Sequence, residues 1–408
     1  MAQSVLSRRA QDVVDAGSDN PMWDVMKDAW DASTNPNGYV NVGVAENTLM
    51  HDELLKFINK KLELPAKYLT YNDGGSGSSR LKAAIAAFLD RHLKPVKPLE
   101  PSHVIATNGV SSAVEHVAWS FADPGEGILL GRPYYGMFIP DISLRSRSPV
   151  VPVSFGEHDP LSIESVDKYE EALLEFHRTT VLVKLMRLCQ KYQIHFVSDE
   201  IYALSVFENT VDKYPPPVKF ESALSIDLTG IIDPRLVHVL WGMSKDFGAN
   251  GIRLGVIISQ ANRDFHMAMT GPSLYSFASG ITDHLTSLLL EDFDFTDRYI
   301  QQNQKLLSES YAYTANYLKD HGIEYATGCN AAFFVWMNLG KRYRELHPET
   351  ECENVGEQVM QHLLQKKVFL ASGFLFGSEK DGWFRLVFTQ GHEFLTLALE
   401  RIVAALEG

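Results

Sequence analysis

The sequence predicts an α/β protein with a mainly parallel central sheet in a large domain and a smaller α+β domain beside it. Three observations carry that prediction. Short β-rich runs alternate with helical patterns between about residues 100 and 260, the sign of βαβ units. After about residue 295 the pattern changes to one long amphipathic helix and two alternating strands. The chain has 408 residues, enough to bury more than one core.

The segment to about residue 50 is polar and turn-rich (NPNGYVNVGVAEN), with helix only in its first stretch, and is expected to wrap onto the smaller domain or a partner subunit. The expected boundaries are 1–50 for this arm and part of the small domain, 51–296 for the large domain and 297–408 for the small C-terminal domain. His103–Asn108, Gly127–Leu130, Val150–Phe155, His195–Asp199, His238–Trp241 and Leu254–Ser259 read as buried strands. Between several of them, Ser112–Phe121 and Leu185–Tyr192 repeat apolar residues at three and four, as helices do. Arg298–His321 reads as the long amphipathic helix, and AAFFVWMNL and GWFRLVFT alternate like antiparallel strands.

A chain that is 45% hydrophobic and 22% charged is neither disordered, collagenous nor a coiled coil. Its 51 acidic and 37 basic side chains leave −14, which argues against a nucleic-acid surface. Any phosphate it holds should be small and gripped locally by backbone N–H groups and an Arg or Lys. Cys189, Cys329 and Cys352 are too scattered for a disulfide framework or a zinc site. No apolar run approaches the roughly 18 residues of a membrane span, so a cytoplasmic protein without membrane contact is expected.

The P-loop, H-E-x-x-H and G-x-S-x-G patterns are all missing, and Asp73–Ser79 (DGGSGSS) reads as a flexible connection. Four strand-end elements remain. Thr107–Ser112 (TNGVSS) follows a strand and opens a helix, which suits an anion; the plain alternative is an N-cap. Asp199-Glu-Ile-Tyr202 ends a strand in carboxylates, suited to a protonated ring nitrogen or to capping the next helix. Lys245, in Trp241-Gly-Met-Ser-Lys-Asp-Phe-Gly248, ends a buried strand with Arg253 eight residues on. A buried ammonium is costly, and imine formation with an aldehyde cofactor removes that cost; a lysine reaching to the rim is the alternative. Arg385, in Gly382-Trp-Phe-Arg385, has a planar fork that can take a carboxylate, or pair with an Asp.

Taken in this order, the elements resemble the class I/II aminotransferase superfamily, the type I fold of pyridoxal-phosphate enzymes. Gly43-Val-Ala-Glu-Asn47, Pro133-Tyr-Tyr135, Ser198–Tyr202, Ser244–Gly248 and Gly382–Arg385 extend the resemblance to the 1-aminocyclopropane-1-carboxylate (ACC) synthase-like branch. Within it, the chain is similar to the fungal members of secondary metabolism, a group that includes the carbon–sulfur lyase of the gliotoxin pathway. The resemblance implies a pyridoxal 5′-phosphate enzyme acting on an α-amino acid or a derived substrate through an external aldimine and a quinonoid, as a transaminase or an eliminating lyase. It implies that Lys245 attaches the cofactor and moves the substrate's Cα proton. Asp199 would face the ring nitrogen, Tyr202 the ring oxygen and Tyr135 the ring face. Val110, Ser111, Ser244 and Arg253 would hold the phosphate, Arg385 the substrate carboxylate, and Glu46 would lie near the substrate. Tyr71 would reach the phosphate across a homodimer interface.

The sequence departs from that pattern in three places. The N-P-x-N-P-x-G segment is missing: Glu171–His177 runs through RTTVLV straight into the helix LMRLCQKYQ, so a central strand and its loop are expected to be absent. Either the site is impaired, leaving a protein that only binds cofactor, or Thr179–Val183 takes over that role. Gly242 stands where a phosphate-binding serine is common. One extra residue precedes Gly77 in the segment carrying Tyr71.

Overall fold

The computed structural model describes residues 5–17, 21–156, 158, 162–171, 181–349 and 353–408. Cys352, and residues 172–180 at the expected deletion, lie outside the described residues. In chain order the strands are β1 (Val40–Asn41), β2 (Val104–Thr107), β3 (Ile128–Gly131), β4 (Val150–Val153), β5 (Phe196–Asp199), β6 (Val237–Gly242), β7 (Gly255–Ile258), β8 (Glu324–Tyr325), β9 (Phe334–Asn338), β10 (Val368–Phe369), β11 (Ala371–Ser372) and β12 (Trp383–Val387).

The α/β class is as expected, but the central sheet is mixed and divided. Four strands lie in the order β2-β7-β6-β5, with β5 parallel to β6 and β7 antiparallel to both its neighbours. Between β6 and β7 lie only single-turn helices, Met243–Asp246 and Asn250–Ile252, and no full helix of the kind that usually carries a parallel crossover. β3 and β4 form a separate parallel pair. Between β4 and β5 the described chain holds the helices Ile163–Glu171 and Val181–Tyr192 and no strand. Val181–Val183 is thus the first turn of a helix, so this part of the expected substitute does not act as a strand.

Burial marks the break. Every residue of β2, β6 and β7 is buried, whereas β3 is half-buried throughout and β5 is half-buried with its last residue exposed. Central strands of a covered sheet are buried on both faces, so β3 and β5 behave as edges. One helix, Val110–Phe121, still spans both pieces: Val114, Val117 and Phe121 join a cluster with Ile128 and Leu130 of β3 and Val197 of β5. The Phe121 ring stacks on His195 at 3.7 Å, just ahead of β5.

A second sheet, antiparallel in the order β11-β12-β9-β8, builds a separate core with the C-terminal helix His392–Glu407. The arm joins this core: β1 pairs in parallel with β10, and Val40 and Val42 are wholly buried in it. The helix Phe293–Asp320, started by Asp292 accepting from the Phe295 N–H, passes from the large core at Ile300 to the small one at Leu307. Asp73–Ser79 is packed rather than free. A Cβ on Gly75 would meet the Ser273 carbonyl oxygen at 2.5 Å, the Ser76 carbonyl accepts from Ala106, and Ser78 caps the helix Ser79–Leu93 while bonding Asp283.

Candidate active site

Several chain turns meet at one edge of the four-stranded sheet. β2, β5 and β6 run the same way, so Gly109–Ser111, Asp199–Tyr202 and Ser244–Lys245 sit at or just past their carboxyl ends, where open α/β sheets bind ligands. Thr107 and Gly242 both pair with Gly255, and this register brings Arg253, at the start of the antiparallel β7, to the same edge.

The helix Val110–Phe121 opens from Gly109 at its N-cap, φ +84°, with no side chain capping it, so its first N–H groups stay available to an anion. A Cβ on Gly109 would come 2.2 Å from an Arg253 guanidinium nitrogen, so the guanidinium lies directly over the helix start. Arg253 Nη1 donates to the Asn250 carbonyl at 2.9 Å, and the exposed Ser111 hydroxyl bonds Asp141. Ser244 is buried behind them. Gly242 has a local reason: a Cβ there would lie 2.6 Å from the Leu254 carbonyl oxygen, so this backbone cannot take a serine unmoved.

Lys245 is half-buried, and its ammonium donates to the Ala45 carbonyl at 2.7 Å. Burial pulls its pKa down to about 8, helped by the neighbouring Arg385. The alternative of a lysine reaching for the rim is therefore not what the fold builds. Asp199 accepts from the Ile201 N–H at 3.2 Å; water reaches it at the floor of the cleft, yet the surrounding protein raises its pKa to about 6. Tyr202, whose phenol burial pushes up, meets the edges of Phe333 and Phe334 at 5.1 and 5.5 Å.

Arg385, on β12, reaches in from the small core. Its guanidinium lies over the Phe334 and Phe376 rings at 4.3 and 4.5 Å, and Nη2 donates to the Gly43 carbonyl at 2.8 Å. Nε is buried without a partner, so the structural Arg–Asp pair is not made and the fork has donor capacity left. Residues 43–47 bridge the two cores through backbone: the carbonyls of Gly43, Ala45 and Glu46 accept from Arg385, Lys245 and Thr389. The Glu46 carboxylate accepts from Asn250 at 2.9 Å and acts electrostatically on Lys245.

Tyr135 is exposed at the cleft, in the loop after β3. That loop is held by the small core: the Tyr134 N–H donates to the Phe376 carbonyl at 2.9 Å, and Glu379 pairs with Arg132 at 3.3 Å while accepting from Ser154 at 2.7 Å. Tyr71 is not brought to this site within the chain; it is 83% exposed, edge-on to Phe277 at 6.2 Å.

The sequence reading missed Asp246. Its buried carboxyl accepts from Ser205 Oγ at 2.7 Å, Trp241 Nε1 at 3.0 Å and the Leu204 N–H at 3.2 Å, tying the segment after Tyr202 to the Lys245 turn. Burial raises its pKa to about 7. An acid beside a strand-end lysine was the only signal available.

These donors fit pyridoxal phosphate. An uncapped helix start under a guanidinium suits the phosphate, an amine shifted toward neutrality suits the aldehyde, and a cleft-floor carboxyl suits the ring nitrogen. The fold and these groups define a pyridoxal-phosphate enzyme of fold type I. The chain belongs to the aminotransferase class I and II family, whose model matches residues 40–183 and 178–402, the two matches meeting where the N-P-x-N-P-x-G segment is missing. It is 33% identical to a probable inactive ACC synthase-like protein 2 of Mus musculus, over 92% of this chain and 67% of that protein. It is 29% identical to the probable aminotransferase sirI of Leptosphaeria maculans, over 90% of this chain and 91% of that one. Measured on a second ACC synthase-like relative, from Takifugu rubripes, the chain spans 64% of the length, a little under two thirds. The Thermotoga maritima aspartate aminotransferase shares the fold, with a TM-score of 0.70 at 21% identity over 99% of this chain and 100% of that one.

Proposed function

We propose that this chain acts on an α-amino acid or an amino-acid-derived adduct, as a transaminase or as a lyase that removes a β- or γ-substituent. The observation that carries the proposal is the half-buried Lys245 amine, with a pKa lowered to about 8, in the turn just after β6, whose neighbour β5 ends in the Asp199 carboxyl. When bound, pyridoxal phosphate supplies an electron sink for the bond broken at the substrate Cα. Val110 and Ser111 N–H groups, Ser244 and Arg253 would hold its phosphate, and Asp199, Tyr202 and Tyr135 its ring. Lys245, poised between charged and neutral forms, takes the proton from the substrate Cα and returns it. Arg385 binds and orients the substrate carboxylate, and Glu46 lies beside the Cα to influence the outcome.

The arm of residues 1–50 would join residues 297–408 in a small domain beside the large one of residues 51–296, and a homodimer would complete the site with Tyr71. Supporting this, Leu69, Tyr71, Leu274 and Tyr275 are exposed apolar side chains on segments that Gly75 packs together. Free Cys189 and Cys329 suit a reducing cytoplasm.

The divided sheet favours a second reading, a protein that binds cofactor but turns over poorly. Incubating holoenzyme with amino acids and cysteine conjugates, and assaying keto acid, pyruvate with ammonia, and ACC, separates the two. One product class is expected; a covalently loaded protein that yields none supports the second reading.

A further inference from the structure

We infer that the substrate side chain is uncharged and apolar, of aromatic size, rather than acidic; this rests on the reading of Arg385 as the carboxylate receptor. The cations that act on one another across the site are Lys245, Arg253 and Arg385. Each is committed: Arg253 lies over the helix start, Lys245 is the amine, and Arg385 is the fork that meets the substrate carboxylate. Two carboxylates, Glu46 and Asp199, also act on Lys245, and a substrate bearing a second carboxylate would meet repulsion from them.

The walls around Arg385 are rings. Phe334 and Phe376 flank its guanidinium at 4.3 and 4.5 Å, and Trp336 meets Phe376 edge-on at 5.9 Å. Tyr135 lies exposed on the facing loop, which the Tyr134 to Phe376 hydrogen bond holds against this wall. A carboxylate seated on the fork therefore brings its substituent among aromatic faces and edges. Those favour another apolar or aromatic group by burial and by ring geometry, and carry no cation to pair with a carboxylate.

Carboxylates that lack the amino group report binding without chemistry. On holoenzyme, calorimetric affinities for 3-phenylpropanoate, propanoate and succinate are compared. 3-Phenylpropanoate is expected to bind about tenfold or more tighter than propanoate, and succinate no tighter than propanoate. Phe376→Ala should pull the 3-phenylpropanoate to propanoate ratio toward one. If that variant does not fold, Phe376→Leu should still lower the ratio. Succinate binding as tightly as 3-phenylpropanoate, with both weakened by Arg385→Gln, overturns the inference and leaves the Arg385 reading intact. Binding of all three that Arg385→Gln does not change overturns the Arg385 reading, and the inference with it.

Discussion

The two halves of the central sheet were built from similar-looking strands and ended differently. β2, β6 and β7 are wholly buried, with β7 paired on both sides, and the helix start, Lys245 and Arg253 lie just beyond their ends. β3 and β5 are half-buried edges, and Tyr135 in the loop after β3 and Asp199 at the end of β5 are the groups proposed to face the cofactor ring. The difference teaches that anchoring and orienting are built separately. On the proposed roles, the phosphate and attachment groups stand on the buried strands, and the groups that would face the ring stand on the half-buried ones.

β5 is held to β6 by its ladder and by a side-chain contact just beyond it, and removing that contact should expose the difference. Asp246 links Trp241 on β6 to Leu204 and Ser205 after β5. Asp246→Ala leaves three donors without their acceptor, two of them on the β5 side, and should lower unfolding free energy by about 2–4 kcal/mol, read in urea. A loss below about 1 kcal/mol would mean that the β5 side is held by something else.

Hydrogen exchange sharpens the same contrast without mutation. Amides of Phe196–Asp199 and Ile128–Gly131 should exchange at least about tenfold faster than those of Val237–Gly242, because edges open without global unfolding. Equal protection would show that the division of the sheet has no dynamic consequence.

A smaller effect follows from pH. Asp199 has its pKa raised to about 6 by its surroundings, and only its ionised form pairs with a protonated ring nitrogen. Cofactor affinity should therefore strengthen as pH rises through about 6 and weaken as it falls, and Asp199→Asn should flatten that limb. Covalent attachment should follow the free amine of Lys245 and rise through about pH 8. Titration of cofactor absorbance across this range checks both limbs.

Much of this was legible in the sequence because the strands were strongly apolar and ended in residues that buried strands do not normally carry. Asp199 ends β5, Lys245 follows β6, Arg253 precedes β7 and Arg385 sits within β12, and all four come to one cleft. The missing segment was legible as well, and between β4 and β5 the described residues form two helices and no strand. Other features were not legible because they depend on contacts distant in sequence. The antiparallel course of β7 lies in its pairing with β2 and β6, which composition does not reveal. Asp246 looked like a neighbour of the lysine, although its partners lie on another segment. The glycine-rich Asp73–Ser79 looked flexible because glycine serves mobile turns and close packing alike, and here backbone approach to Ser273 decides between them. Three backbone carbonyls of residues 43–47 receive the site's donors, and carbonyls leave no mark in a sequence.

Borohydride reduction of the protein with pyridoxal phosphate, followed by peptide mass spectrometry, tests most directly whether the intact half of the sheet holds a working attachment site. A single pyridoxyl group on Lys245, lost in Lys245→Ala, is the expected result. Label spread over surface lysines, or no label on Lys245, would contradict it.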